Sequence, residues 1–130
     1  MELMVRYLLD TNLIIDAVGG CRPAVEALEM AVNSDWVGYS AITRLELFGY
    51  PDLSYEEECA LAAVTDEINE LAVTSSIIDL AIRIRKSVRI KSPDAIIAAT
   101  SMKMNAVLMT RNKKDFKSVR GLKVLNPWTT

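Results

Sequence analysis

Four acidic side chains have the type and the placement for chemistry on phosphate: Asp10, Glu46, Asp94 and Asp115. Asp10 closes an apolar run typical of a buried strand, and Asp115 closely follows another such run. Asp94 falls in the first turn of a predicted helix. Glu46 borders the apolar face of another helix, from which its side chain leans back toward the helix N-terminus. In a parallel sheet these positions all belong to the edge formed by the carboxyl ends of the strands. We therefore expect the four carboxylates to converge at that edge.

The chain contains no histidine. This excludes Ser-His-Asp and Cys-His catalysis and every zinc site that uses histidine. Carboxylates packed together repel one another and take up protons unless a cation lies among them. Oxygen ligands of this kind suit Mg²⁺ or Mn²⁺, which can activate water and neutralise charge on a phosphodiester. The four acids therefore predict a Mg²⁺ or Mn²⁺ site with a hydrolytic function.

Each acid taken alone also has a simpler structural explanation. Asp10 could cap the helix that follows it, and an acid such as Asp94 is common in a first helical turn. Glu46 could be a surface acid, and Asp115 could balance the lysines beside it. The hypothesis of a metal site therefore depends on the four residues as a set.

Short apolar segments alternate with helical ones along the chain. We predict strands at residues 5–9, 36–40, 71–74, 106–109 and 122–125, and helices at 11–18, 23–32, 41–48, 93–104 and 113–116, with two more that begin near Ser54 and Ser75. Ser40, Ser54 and Ser92 are expected to cap helices. In the helix at 23–32 the spacing of Val25, Leu28 and Val32 predicts the buried face. This alternation favours one α/β domain over residues 1–130, with a central parallel sheet of four to five short strands flanked by helices.

The composition fits a compact domain of ordinary size. Of the 130 residues, 51% are hydrophobic, which is enough for a core. The two cysteines form no CxxC pair, which suits a reducing compartment, and the charged first ten residues do not read as a signal peptide. No apolar stretch approaches the length of a membrane span. We therefore expect a cytoplasmic protein without membrane association.

The charges are distributed very unevenly along the chain. Residues 1–79 hold 15 acids and three bases, whereas residues 80–130 hold two acids and twelve bases. Both halves could fold together so that their charges compensate. The clustering of the bases instead favours contacts with nucleic-acid phosphates. The residues predicted to make these contacts are Arg85, Lys86, Arg89, Arg111, Lys113 and Lys114.

Four segments together resemble the acidic motifs of PIN-domain nucleases. They are LLDTNLIID at residues 8–16, YSAITRLEL at 39–47, PDAIIAAT at 93–100 and LMTRNKKDF at 108–116. They occur in the family's order and cover nearly the whole chain. The chain length and the last two segments are most similar to the VapC toxins of toxin–antitoxin pairs.

This resemblance implies a PIN-like three-layer fold and a Mg²⁺- or Mn²⁺-dependent endoribonuclease. It also implies a homodimer and a cognate antitoxin that blocks the site. The acidic quartet would be Asp10, Glu46, Asp94 and Asp115, although many relatives carry an acid at the position of Asn112, so that either residue can be the fourth member. Residues that match polar positions near such sites are Thr11, Ser40 and Thr110. In the expected reaction Asp10 and Asp94 hold the principal ion, and a metal-activated water attacks an RNA phosphodiester to leave a 5′-phosphate.

Several other functions are compatible with parts of the pattern. A receiver domain needs an Asp after its third strand, which residues 71–76 lack, and a haloacid-dehalogenase-type phosphatase needs an Asp where Asn12 stands. A catalytically inactive PIN-fold binding module is a third possibility. A housekeeping nuclease acting on RNA or DNA is a fourth, and the sequence separates it poorly from a toxin.

Overall fold

Five short strands form the centre of the computed structural model, which describes residues 4–128. They are β1 (Arg6–Leu9), β2 (Trp36–Ser40), β3 (Asn69–Leu71), β4 (Val107–Met109) and β5 (Lys123–Leu125). Their order in the sheet is β3-β2-β1-β4-β5, and every neighbouring pair is parallel. The carboxyl ends of all five strands therefore meet at one edge. The strand order reverses between β1 and β4, which is where parallel α/β sheets form their crevices.

Within residues 4–128, seven helices connect and cover the strands. They are α1 (Thr11–Val18), α2 (Arg22–Val32), α3 (Ala41–Phe48), α4 (Tyr55–Thr65), α5 (Ser75–Ser87), α6 (Ser92–Lys103) and the single turn α7 (Lys113–Phe116). Successive residues of a strand face opposite sides, so Leu8 and Leu9 of β1 enter two different cores. α5 and α6 cover one face of the sheet, and α1, α2 and α4 contribute to the core on the other. The prediction of a three-layer α/β fold with a parallel sheet is confirmed.

The alanine-rich character of α6 lets it pack directly against the sheet. Ala95, Ala98 and Ala99 are fully buried in the core that also contains Leu8 and Leu108. Small side chains allow the helix axis to approach the strands closely, which fixes the position of the first turn of α6 and of Asp94 within it.

The predicted buried face of α2 is wrong by one residue. The buried side chains are Ala24, Ala27 and Ala31, whereas Val32 is 50% exposed. Leu28 is half-buried and packs against the same core, so that the prediction holds for Leu28 and fails for Val32. The alanine face is buried because it lets α2 pack closely beside α1.

Two element boundaries also differ from the prediction. β3 ends at Leu71, and the hydroxyl oxygen of Thr74 accepts a hydrogen bond from the N–H of Ile77, so that Thr74 caps α5 instead of belonging to a strand. Ser92 does not cap α6. It is the first residue of that helix, and its hydroxyl oxygen accepts a hydrogen bond from Arg85. Ser40 and Ser54 do cap α3 and α4, as expected.

No helix in the described part of the chain combines the length and apolar character that a membrane span requires.

Candidate active site

Asp10 lies at the point where β1 and β4 end side by side. Its backbone N–H donates to the carbonyl of Met109 (3.0 Å), which extends the pairing of the two strands by one residue. Its Oδ1 accepts from the N–H of Thr11 (2.9 Å), and its Oδ2 accepts from the hydroxyl of Thr110 (2.6 Å). The side chain is only 4% exposed. Asp10 therefore caps α1 with one oxygen and is fixed to the end of β4 through the other.

The pKa of the Asp10 carboxyl is raised above its ordinary value, and the main cause is burial. The hydrogen bonds from Thr110 and Thr11 stabilise the carboxylate and oppose this shift, whereas the charges of Glu46 and Asp115 add to it. Burial and nearby like charges both disfavour the ionised form. Asp10 is thus held where its negative charge is disfavoured, and no ion pair joins it to a base in the part of the chain that the structure describes.

The pKa of the Asp94 carboxyl is also raised, although Asp94 is less buried than Asp10. Its pKa is raised to about 6, mainly by burial and in addition by the charges of Asp10, Asp115 and Glu46, while Lys91 partly opposes the shift. Charges act on one another in this way only when they are close. The predicted convergence of the acids is therefore visible in their electrostatics, because Asp94 interacts with the other three.

Glu46 reaches the site through Thr11. The Glu46 Oε1 accepts a hydrogen bond from the Thr11 hydroxyl (2.7 Å), and Thr11 Oγ1 lies 2.9 Å from the hydroxyl oxygen of the buried Thr43. Glu46 is itself exposed, and of the two apolar neighbours that suggested a buried face Leu45 is 66% exposed, whereas Ile42 is half-buried and packs against the core. The buried side of α3 instead consists of Thr43 and Leu47.

Ser40 supports this arrangement from inside the fold. It is fully buried, and its hydroxyl oxygen accepts from the N–H of Ile42 (3.2 Å). This bond starts α3 at the end of β2 and sets the direction in which Glu46, in the second turn, projects. Ser40 therefore acts on the site through the helix that it begins.

The sequence left two candidates for the fourth member of the acidic quartet, Asp115 and Asn112, and the structure gives them different contacts. Asp115 is exposed on α7, and its charge raises the pKa of both Asp10 and Asp94. Asn112 donates its backbone N–H to the Thr110 hydroxyl oxygen (3.0 Å), so that Thr110 connects this turn to Asp10. Asp115 is thus the residue of the two whose charge acts on Asp10 and Asp94, and the described contact of Asn112 is a backbone hydrogen bond.

A cavity of about 780 Å³ opens beside the acids and is lined by bases. Asp94 and Asp115 line it together with Arg85, Arg89, Lys91 and Lys114. Arg85 is tied to the fold, because its guanidinium donates to the carbonyl of Ile90 (3.1 Å) and the hydroxyl of Ser92 (3.0 Å). The other bases at this cavity are exposed.

The six predicted phosphate contacts do not form one surface. Arg85, Arg89 and Lys114 line the cavity, and Lys86 lines a shallower one next to it. Lys113 is exposed on α7 but lies outside the cavity lining. Arg111 points elsewhere, with its Nη1 3.1 Å from Asp16 Oδ2 and its guanidinium over the ring of Trp128.

Sequence reasoning missed several residues that the structure places around the acids. Ser118 lines the cavity, Thr43 lies behind Thr11, and Asp16 faces Arg111. The sequence held one indication of this, because Asp16 is an acid within the mostly apolar segment LLDTNLIID. Such an acid indicates a basic partner elsewhere in the chain. Nothing in the spacing of Thr43 points to the site.

The carboxylates fit a hard divalent cation by donor type. Within residues 4–128, no three side chains of histidine, cysteine, aspartate or glutamate form a ready-made metal cluster. Mg²⁺ typically uses one or two carboxylates and keeps several waters, and it does not require such a cluster. Asp10 and Asp94, whose charges are both unfavourable as they stand, are the residues that could hold it.

Thr110→Val tests how far the site depends on the orientation of Asp10. The substitution removes the hydroxyl that donates to Asp10 Oδ2 and leaves the side-chain volume nearly unchanged. Loss of a hydrogen bond that orients a ligand typically costs about 10- to 100-fold in activity or cation affinity. We expect a loss of this size in the affinity for Mg²⁺, measured beside the matched variant Thr100→Val, whose hydroxyl bonds to its own helix. Equal losses in the two variants would contradict a specific role for Thr110.

Comparisons with known proteins agree with this geometry. Residues 7–122 match the family model described as PIN domain. The chain is 31% identical to Ribonuclease VapC1 of Haemophilus influenzae (strain R2866), over 95% of this chain and 98% of that protein. It also resembles one chain of a toxin-antitoxin complex from Klebsiella pneumoniae, with 33% identity, a TM-score of 0.77 and coverage of 93% of this chain and 97% of that one.

A third comparison concerns the fold alone. A chain in the structure of VapBC2 from Rickettsia felis, bound to a DNA fragment from its promoter, superimposes with a TM-score of 0.81 at 22% identity, covering 94% of this chain and 98% of that one.

Proposed function

Because the chain belongs to the PIN domain family, we propose that it is a metal-dependent endoribonuclease and the toxin of a type II toxin–antitoxin pair. The observation that carries this proposal is the convergence of Asp10, Glu46, Asp94 and Asp115 at one sheet edge, beside a cavity lined by bases. The similarity to a protein named as a ribonuclease supports RNA as the substrate.

The chain's own residues have distinct parts in this reaction. Asp10 and Asp94 would hold Mg²⁺ or Mn²⁺, with Glu46 and Asp115 adding to the negative field. When bound there, such an ion activates water and neutralises charge on the phosphodiester. Thr110 and Thr11 orient Asp10 by their hydrogen bonds, and Thr11 also orients Glu46. With no histidine in the chain, Asp94, whose pKa is raised to about 6, is the carboxyl best placed for proton transfer near neutral pH.

The cavity beside the acids supplies contacts for the phosphates that flank the cleaved bond. Arg89, Lys91 and Lys114 are exposed there, whereas Arg85 serves mainly to hold the segment between α5 and α6. A single strand of RNA laid in this cavity would bring one phosphate next to Asp94 and Asp115. Such contacts release counterions, so that binding weakens as the salt concentration rises.

Lys114→Ala should therefore weaken RNA binding more than catalysis. We expect KM to rise about five- to tenfold, with kcat within about twofold of the original. The slope of log KM against the logarithm of the salt concentration should fall by roughly one, because one phosphate contact is lost. Lys103→Ala is the matched control, because Lys103 is also an exposed lysine but lies in the last turn of α6, away from the cavity. A KM for Lys114→Ala equal to that of the control would remove the cavity from the substrate path.

A protein partner is supported by a second, apolar groove. About 670 Å³ lies between α1, α3 and α4, lined largely by apolar side chains such as Ile15, Val18, Leu47, Tyr50 and Leu61. Glu46 borders this groove as well, so that a segment bound there would reach the acids. We assign this groove to the antitoxin, in keeping with the toxin-antitoxin complexes to which the chain is similar.

Two further properties follow from the family as proposals. We propose a homodimer, which light scattering of the purified chain would show directly. We also propose a cytoplasmic location, which agrees with the state of Cys21 and Cys59, both free thiols.

The proposed function is tested by incubating the purified chain with RNA in Mg²⁺ and sequencing the cut ends. Discrete internal cuts with 5′-phosphate ends, absent in EDTA, are the expected result. RNA binding without cutting would indicate an inactive binding module. Cutting of single-stranded DNA at a similar rate, with no growth arrest on expression in bacteria, would indicate a housekeeping nuclease.

A further inference from the structure

Both the side chain and the backbone of Arg111 contact parts of the chain outside its own turn. Its guanidinium Nη1 lies 3.1 Å from Asp16 Oδ2 on α1, and its guanidinium carbon lies 5.7 Å from the ring centroid of Trp128. Its backbone carbonyl accepts a hydrogen bond from the side chain of Asn126 (3.3 Å), which itself accepts from the N–H of Trp128 (2.9 Å). The segment after β5 and the middle of α1 thus clamp one residue of the turn between β4 and α7.

The Asp16 carboxylate depends on this arginine. Asp16 Oδ2 is buried and has no hydrogen-bond partner of good geometry within residues 4–128. The Arg111 guanidinium is the cation at ion-pair distance from it. The carboxylate end of the pair is 19% exposed and the guanidinium end 49% exposed, so that loss of the guanidinium would leave a buried carboxylate oxygen without a counterion. The stacking of Arg111 on Trp128 strengthens the same arrangement.

Arg111 sits between two residues that contact the site. The preceding residue, Thr110, donates its hydroxyl to Asp10 Oδ2 (2.6 Å), and the following residue, Asn112, donates its N–H to that same hydroxyl oxygen (3.0 Å). A displacement of the Arg111 backbone would move both groups away from Asp10. The clamp therefore fixes the turn whose hydroxyl orients the most buried of the four carboxylates.

We propose that Asp16 and Arg111 are positioning residues, which together with Trp128 hold Thr110 against Asp10. This inference rests on the proposed nuclease function for its effect on catalysis. It replaces the prediction that Arg111 contacts RNA phosphate, because the guanidinium is already engaged by Asp16 and Trp128 and lies outside the lining of the basic cavity.

Two single variants and their combination separate the two roles of Arg111. Arg111→Ala and Asp16→Asn are each expected to lower kcat about 10- to 100-fold with KM within about twofold of the original. The double variant should be no worse than the more damaging single one, because both remove the same clamp. Arg111→Lys, which keeps the charge but not the planar stack, should recover part of kcat. Asp79→Asn, an exposed acid on α5, is the matched control and should leave kcat unchanged.

The opposite pattern would overturn the proposal. If Arg111 contacts phosphate, Arg111→Ala raises KM, and Asp16→Asn, which frees the arginine, leaves kcat unchanged and lowers KM. Independent losses that multiply in the double variant would also contradict a shared clamp.

The emission of Trp128 tests the clamp without any RNA. We expect Arg111→Ala and Asp16→Asn to increase the quenching of Trp128 fluorescence by acrylamide. The Trp128 signal is isolated by preparing each protein with and without Trp128→Phe and subtracting the second emission spectrum from the first. Quenching equal to that of the unmodified chain would overturn the clamp. If the unmodified chain does not cut RNA, the proposed function fails, and the quenching result still decides whether the clamp exists.

Discussion

Replacing Asp94 by asparagine is expected to reduce RNA cleavage at least about a thousandfold, which corresponds to roughly 4 kcal/mol of transition-state stabilisation. The side chain keeps its size and loses its charge, and that charge is one of the two best placed to hold a cation. The measurement is the single-turnover rate on a defined RNA at saturating Mg²⁺. Asp79→Asn, which removes an exposed acid from α5, should cut at the original rate.

The same substitution is expected to stabilise the cation-free fold. The pKa of Asp94 is raised to about 6, so that the folded chain binds a proton more tightly than the unfolded chain between about pH 4 and pH 6. Stability therefore falls as pH rises through this window, and above it the ionised carboxylate is a net cost. The full shift would correspond to nearly 3 kcal/mol, and we expect about 1 kcal/mol because solvent screens a half-buried group.

The expected change in Tm follows from that value. In EDTA at pH 7.5, Asp94→Asn should melt roughly 3–5 °C above the original chain, and the gain should vanish below about pH 3, where both the folded and the unfolded chain carry a protonated carboxyl. Calorimetric scans at the two pH values provide the measurement. An inactive variant that is more stable at pH 7.5 is the signature of a charge kept for function. Cleavage at the original rate by Asp94→Asn would refute the assignment of the site.

Removing divalent cations is expected to abolish cleavage completely, and returning Mg²⁺ or Mn²⁺ should restore it. The reason is electrostatic, since Asp10 and Asp94 both carry charges that burial and their acidic neighbours disfavour. Binding of a cation to the folded state alone also raises stability, by about 1.4 kcal/mol at a tenfold excess over Kd. A rise in Tm on adding Mg²⁺ at pH 7.5 is thus expected together with activity.

The rise in Tm produced by the cation should become smaller as the pH falls. Below about pH 6 Asp94 binds a proton, which competes with the cation, so that the rise in Tm produced by Mg²⁺ should shrink by pH 5. Sodium chloride at the same ionic strength controls for general screening, and Asp94→Asn should show a reduced response at both pH values. Full cleavage in EDTA would exclude a metal-dependent mechanism.

The position of the acids could be predicted because it follows from one property of the fold. In a parallel sheet every strand end lies at the same edge, so recognising that Asp10 ends a strand and that Asp94 begins a helix was enough to bring them together. Helix caps such as Ser40 and Ser54 were also predictable, since their signals are local in the sequence.

Other features could not be read from the sequence because they depend on distant side chains. Asp16 and Arg111 are far apart in the chain, and their pairing follows from the packing of α1 beside the end of β4. The basic run around Arg111 therefore suggested a phosphate contact, while the fold gives Arg111 another partner. The exposure of Glu46 was missed for a similar reason, because the apolar neighbour Leu45 suggested a buried face that the fold leaves open.

The order of the strands has a consequence for synthesis of the chain. Central β1 pairs with β4, a hundred residues later, and Asp10 meets its Thr110 partner only across that distance. Such non-local pairing forms late and slowly. A ribosome-bound chain that ends before residue 106 already carries Asp10, Glu46 and Asp94, but it lacks β4, the Thr110 hydroxyl and Asp115. A nascent chain of that length therefore holds three of the four acids without the strand and the hydroxyl that fix Asp10 in place.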